Sequence, residues 1–254
     1  MRQYLFTYQT FVRFTNPVVN HHFRLRCQPM KSESQRVEED ALVVSTHSWL
    51  QAGHDAFGNR TLVGCYLLPH LSFAFASSGI VSLTGEVCGH SSGNDSLFRY
   101  STKLTTPTAE LREVYVPDGS NRQKAEYICD YVHHLLSYRQ EVTNSSTSVG
   151  EVMSLRQGVC QDFAHVMISL CRLNGIPARY VCGMMVGEGQ THAWVEVFDG
   201  RFWIGLDPTN AVAAGYGYVK LSHGRDASDC SVCKGVFGGN TCQDTMVSVS
   251  VFEI

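Results

Sequence analysis

The stretch that decides the fold is GVCQDFAHVMISLCRLNG, residues 158–175. Phe163, Ala164, Val166, Met167, Ile168, Leu170, Cys171 and Leu173 surround a helix almost completely. A helix apolar on nearly every side belongs at the centre of a domain. Asn174-Gly175 supplies its stop. Gly158 gives the backbone freedom for a sharp entry, and Cys160 falls at the helix start. One cysteine among ten thus stands where unpaired N–H groups and the positive end of the helix dipole favour an anion.

Outward from this helix the pattern changes. On its N-terminal side, NRQKAEYICDYVHHLLSY spaces Ala125, Ile128, Cys129, Val132, Leu135 and Leu136 helically, and SVGEVMSLRQG predicts a short helix ending at Gly158. On its C-terminal side, ARYVCGMMV, HAWVEVF and RFWIGLD read as strands. Residues 1–85 are strand-like: YLFTYQTFVRF and FRLRC alternate on either side of Asn16-Pro17, and HDAFGNR predicts a hairpin reversal. Residues 86–118 form a linker of mixed pattern. Residues 119–254 are read as the second domain with a C-terminal extension, whose last strand, TMVSVSVFEI, returns to one of the sheets.

The 254 residues allow a substantial core, at 44% apolar and 17% charged. A net charge of −3 and the lack of any basic run of five point away from nucleic acid and anionic membranes. No apolar stretch reaches the roughly 18 residues of a membrane span, and MRQYLFTYQTFVRF has no h-region. These features lead us to expect a soluble, cytoplasmic protein whose cysteines are mostly reduced and buried.

HAWVEVFDGRFWIGLD, residues 192–207, carries the second informative pattern. Asp199-Gly200 between two strands is a two-residue hairpin signal. That register sets Phe198 against Arg201, Glu196 against Trp203, Trp194 against Gly205, and His192 directly opposite Asp207. Opposed residues share a face with Cβ atoms roughly 4.5–5.5 Å apart, within reach of a carboxylate–imidazole hydrogen bond. The other face, Ala193, Val195, Val197, Phe202, Ile204 and Leu206, is wholly apolar and should pack on the buried helix. By itself the register leaves a chance surface pairing open. Thiol catalysis needs a thiolate, a base beside it and a group that orients the base. Cys160, His192 and Asp207 are one of each, although a buried structural cysteine remains the bland alternative for Cys160.

The run GVCQDFAHVMISLCRLNGIPARYVCG, followed by HAWVEV and GLDPTN, resembles the bacterial branch of the transglutaminase-like superfamily of papain-type cysteine enzymes. TFVRFTNPVVNHHFRLRCQP and DAFGNR resemble the β-rich N-terminal region of that branch, and SHGRDASD its C-terminal motif. The resemblance implies an α+β protein: a β-rich N-terminal domain, then a papain-like core with a central buried helix packed on an antiparallel sheet. It implies Cys160 as nucleophile, His192 as base and acid, and Asp207 as orienting carboxylate, in a thiol-dependent amide-bond hydrolase acting on a peptide or protein substrate. Acyl transfer to amines, as in a transglutaminase, and a catalytically silent interaction module are the alternatives. The Cys160 N–H is the natural first oxyanion donor. The family often has an aromatic residue upstream, where this chain has Val142 and, nearby, Tyr138.

Gln161 is a further candidate for the cleft, Trp194 either roofs it or is buried between the domains, and Arg225 either lines it or, with Asp226, forms a structural ion pair, the reading favoured here. Asp162 reads as a first-turn acid complementing the helix dipole, and His165 as a hydrogen-bonded packing residue. Cys230-x-x-Cys233 with Cys242 and His223 is a weak zinc pattern. No other metal or cofactor is expected, no D-x-D-x-D-G calcium loop occurs, and the sequence leaves the oligomeric state open.

Overall fold

The computed structural model describes residues 1–45, 49–85, 89–90 and 95–254. Strands β1 (Arg2–Leu25), β2 (Gln35–Val44), β3 (Leu50–His54), β4 (Arg60–Tyr66) and β5 (His70–Leu83) come first. A two-residue strand, β6 (Gly89–His90), and helices α1 (Ala109–Arg112) and α2 (Asn121–Leu135) follow. Next come β7 (Ser137–Tyr138), α3 (Val149–Leu155), β8 (Gln157–Gly158) and α4 (Cys160–Leu173). The chain closes with β9 (Ala178–Met185), β10 (Gly187–Gly189), β11 (His192–Phe198), β12 (Phe202–Asp207), β13 (Val212–Ala213), β14 (Tyr218–Gly224), β15 (Cys233–Gly238) and β16 (Gln243–Glu253). The protein is thus α+β, with two antiparallel sheets and a central buried helix.

Strand β1 organises the first sheet. It pairs with β5 and β16 along its first half and with β4 and β15 along its second, which curls the sheet. Asn16-Pro17 does not divide it into two strands as the sequence suggests. The β1–β5 ladder shifts register between Arg13 and Val18, so Pro17 falls in a bulge where its missing N–H breaks no ladder bond. Alternate residues Tyr4, Phe6, Tyr8, Val12 and Phe14 turn inward. The β3–β4 hairpin forms around DAFGN: Asp55 Oδ1 accepts from the Phe57 and Asn59 N–H groups, and Gly58 takes φ +79°. The C-terminal strand β16 joins this first sheet through β1.

The second sheet runs β13-β12-β11-β9-β14, with β6 beside β12. One face packs on α4: Ala178, Tyr180, Ala193, Val195, Val197, Ile204 and Leu206 share a core with Phe163, Met167 and Ile168. Helix α4 is buried as its composition requires, with only Leu173 on its final turn exposed among its large apolar residues. Helix α3 stops earlier than expected. Arg156 caps it in the left-handed conformation (φ 56°), which releases Gln157 and Gly158 to form β8 alongside β7.

The other face of the second sheet meets the first sheet: Met184, Val219 and Leu221 belong to the core of the curled sheet. Trp194 and Trp203 are buried on this face. So is Glu196, which accepts from Arg179 Nε and from Lys220 Nζ at 2.6 Å each. Burial opposes its charge, but the two cations prevail and hold its pKa at about 2. We expect Glu196→Gln to destabilise the fold by about 3–5 kcal/mol, because two buried cations lose their shared carboxylate. The stabilisation from Glu196 is present above its ordinary value of 4.5 and is lost as pH falls toward 2. Thermal melts of both proteins across pH 2–7 check this, and equal melting temperatures at neutral pH would refute it.

Candidate active site

Cys160 is the first residue of α4, half-buried at the floor of an open cleft of about 620 Å³. Its approach is tightly built. The Ser137 N–H donates to the Arg156 carbonyl (2.9 Å) and the Arg139 N–H to the Gly158 carbonyl (2.8 Å), so the segment before the cysteine is hydrogen-bonded to the segment that leads into the opposite wall.

The β11–β12 hairpin differs from its expected register. The Asp199 N–H donates to the Phe202 carbonyl (2.9 Å), and Asp199 Oδ1 accepts from the Arg201 and Phe202 N–H groups. The side chain of Asp199 therefore opens the turn, and Gly200, at φ +110°, takes its first central position, as in a II′ turn. Phe198 faces Trp203, Glu196 faces Gly205 and Val195 faces Leu206. The two-residue slip preserves side-chain parity, so His192 and Asp207 stay on one face. They are diagonal neighbours, not directly opposed. His192 Nε2 nevertheless bonds Asp207 Oδ2 at 2.7 Å.

Asp207 is fully buried and accepts from every side. Asn210 Nδ2 donates to Oδ2 at 2.7 Å and the Tyr218 hydroxyl at 2.9 Å, while the Thr209 N–H donates to Oδ1 at 2.9 Å. Burial disfavours its charge, yet the His192, Asn210 and Tyr218 contacts lower its pKa. Burial likewise opposes charge on His192, but the hydrogen bond to Asp207 and the nearby Cys160 thiol outweigh it and raise its pKa to about 9. Nε2 is committed to Asp207, and His192 lines the same cleft as Cys160, with Nδ1 as its remaining ring nitrogen. An imidazolium held beside a thiol is the charge partner that a thiolate needs.

Asn210 and Tyr218 were not singled out in the sequence. GLDPTN holds the signal for Asn210, since an aspartate before Pro-Thr-Asn is Asx-turn chemistry. Tyr218 had none, because it reaches Asp207 only through the pairing of β14 with β9.

The other expectations divide. Gln161 lines the cleft and donates to the Asn144 carbonyl (3.2 Å), and Tyr138 stands on the facing wall. Trp194 does not roof the cleft. It is buried against Val181, Ala214 and Tyr218 on the inter-sheet face, with its ring 6.5 Å from that of His192. Arg225 does not line the cleft either, because its guanidinium is bound to Asp229 one turn away. His165 is buried, its Nε2 accepts from the Ala227 N–H (3.1 Å), and burial lowers its pKa to about 4. Cys230, Cys233, Cys242 and His223 are not brought together. Cys230 is buried against the Tyr180 carbonyl, His223 against Arg179, and Cys242 is exposed. Among the described residues no group of three or more His, Cys, Asp or Glu could hold a metal ion. Val142 is half-buried and does not line the cleft.

A cysteine at the head of a buried helix, facing a histidine–carboxylate pair on an antiparallel sheet, is the papain-type arrangement. Residues 111–208 match the model of the transglutaminase-like superfamily and residues 4–82 that of the bacterial transglutaminase-like N-terminal region, and the chain belongs to this family. The uncharacterized protein Rv2569c of Mycobacterium tuberculosis is 28% identical over 98% of this chain and 91% of its own length. The uncharacterized protein ML0607 of Mycobacterium leprae is 36% identical over 60% of this chain and 58% of its own. A solved structure from Cytophaga hutchinsonii, titled a "Putative Cysteine Protease", shares the fold at TM-score 0.83. It covers 100% of this chain and 91% of that one at 23% identity. Among the described residues no helix is long and apolar enough to cross a membrane.

Proposed function

We propose that the protein is a thiol-dependent amide-bond hydrolase acting on a peptide or protein substrate in the cytoplasm. Residues 119–254 supply the catalytic core, and the N-terminal region, 1–85, backs it. The observation that carries this reading is the pairing of Asp207 Oδ2 with His192 Nε2 at 2.7 Å in the cleft that Cys160 and His192 both line. The Cys160 sulfur attacks the amide carbonyl, and the C–N electron pair leaves with the amine, which takes the His192 proton. The acyl group is then a thioester on Cys160. Water attacks it, giving one proton to His192, and the carboxylic acid departs as the Cys160 thiolate is restored beside the imidazolium. Asp207 holds the ring tautomer and stabilises the imidazolium throughout.

The same thioester can be resolved by an amine, so incubation of a peptide library with and without a primary amine separates the two outcomes. We expect new free carboxylates in both reactions, with the amine incorporated into a minority of products. Products that carry the amine throughout would make the protein a transglutaminase. No product in either reaction, with an unreactive Cys160, would leave a silent module.

A further inference from the structure

We infer that Asp162 is a positioning residue that clamps the peptide leading into Cys160 to the facing wall of the cleft. The inference rests on the proposed amide chemistry and concerns how that chemistry is held in register. Asp162 lies in the first turn of α4 and is fully buried. Its Oδ2 accepts from the Val159 N–H at 2.8 Å and from the Thr143 hydroxyl at 2.6 Å. Val159 is the residue immediately before the nucleophile. Thr143 belongs to the loop after β7, in which Gln140 and Glu141 line the cleft opposite α4. One oxygen thus ties both sides of the cleft together.

Two observations indicate more than a dipole-complementing acid. Oδ1 is buried and has no hydrogen-bond partner among the described residues, a costly state that an exposed first-turn acid would avoid. Gly158 is cut to fit the carboxylate: a Cβ there would lie 2.4 Å from Asp162 Oδ2 and 2.7 Å from Asp162 Cβ. The glycine expected to ease a sharp chain entry is therefore required for close approach to this side chain. The Val159–Cys160 peptide carries the N–H that is the natural oxyanion donor. Fixing Val159 fixes the direction of that N–H, and an oxyanion donor works only when its aim is set before the reaction.

Positioning of this kind makes a distinctive prediction. Alkylation by iodoacetamide needs the sulfur and its charge partner but no oxyanion donor. Asp162→Ala should lower kcat for amide turnover by about 10²–10³-fold, the usual cost of losing one oxyanion donor, with KM and the Cys160 alkylation rate nearly unchanged. Asp162→Asn, whose amide oxygen can accept both bonds, should recover most of the activity. Gly158→Ala, which displaces the carboxylate, should resemble Asp162→Ala. Thr143→Val should cost less than Asp162→Ala and add little to it, because the two residues act through one contact. Should Asp162→Ala fail to fold, Gly158→Ala and Thr143→Val carry the test. Turnover and alkylation falling together would show a general loss of structure and overturn the inference, as would unchanged turnover in all variants. A wild-type protein with neither reactive Cys160 nor turnover would instead refute the proposed function, and the positioning role with it.

Discussion

Cys160→Ala is expected to leave the fold intact and to reduce amide turnover by on the order of 10⁶-fold, because the members of a nucleophile–base–carboxylate unit act together and the nucleophile has no substitute. The fold should survive because Cys160 is only half-buried and packs at the margin of the α4 core. Four of the other cysteines are poor substitutes. Cys129, Cys171, Cys182 and Cys230 are buried, and burial raises the pKa of each. Matched thermal melts with turnover measured on one peptide decide the point. Retained turnover in Cys160→Ala would remove the thiol from the mechanism.

Asp207→Asn is the second large effect. Its side chain keeps its shape but loses the charge on which His192, Asn210, Tyr218 and two backbone N–H groups converge. Neutralising the orienting carboxylate of a triad costs about 10⁴-fold in kcat. The pH dependence should change as well. In the native protein the imidazolium persists until pH rises through about 9, so amide turnover should decline above that pH as the proton needed by the leaving amine is lost. In Asp207→Asn the decline should move down toward the ordinary histidine value of 6.5. Stability follows the same linkage. The raised His192 pKa contributes stabilisation that is complete below 6.5 and gone as pH rises through about 9. The lowered Asp207 pKa contributes stabilisation present above 3.8 and lost as pH falls below it. The melting-temperature gap between the native protein and the variant should therefore be widest between these limits. A gap that does not vary with pH would contradict the pairing of His192 with Asp207.

Much of this site was legible before the structure, for reasons tied to particular residues. The all-round apolar pattern of α4 dictated a buried helix, and its first residue had to be Cys160. Period-two alternation placed His192 and Asp207 on one face, and parity survived even though the turn began at Asp199 as cap, not as first loop residue. What failed was detail set by side chains or by distant pairing. Asp199 chose the register through its own hydrogen bonds. Pro17 was absorbed by a bulge that a local reading of Asn-Pro does not reveal. For Trp194 and Arg225 the sequence left two readings open, and the structure takes burial between the sheets for Trp194 and an ion pair, with Asp229 in place of Asp226, for Arg225. Tyr218 reaches Asp207 across a strand pairing that no local pattern encodes. Asp162 was legible as a helix-start acid but not as a clamp, because Thr143 lies in a loop nineteen residues away.

The most direct test of the account is competitive alkylation of the native protein. With iodoacetamide limiting at neutral pH, mass spectrometry of the digest should find Cys160 carboxamidomethylated first among the ten cysteines. The informative comparison is with Cys242, which is exposed and so open to the reagent. Its lead should vanish in His192→Ala, which removes the charge partner of the thiol. Labelling of Cys160 no faster than Cys242, or an undiminished lead in His192→Ala, would contradict the claim that Cys160, His192 and Asp207 form one reactive unit.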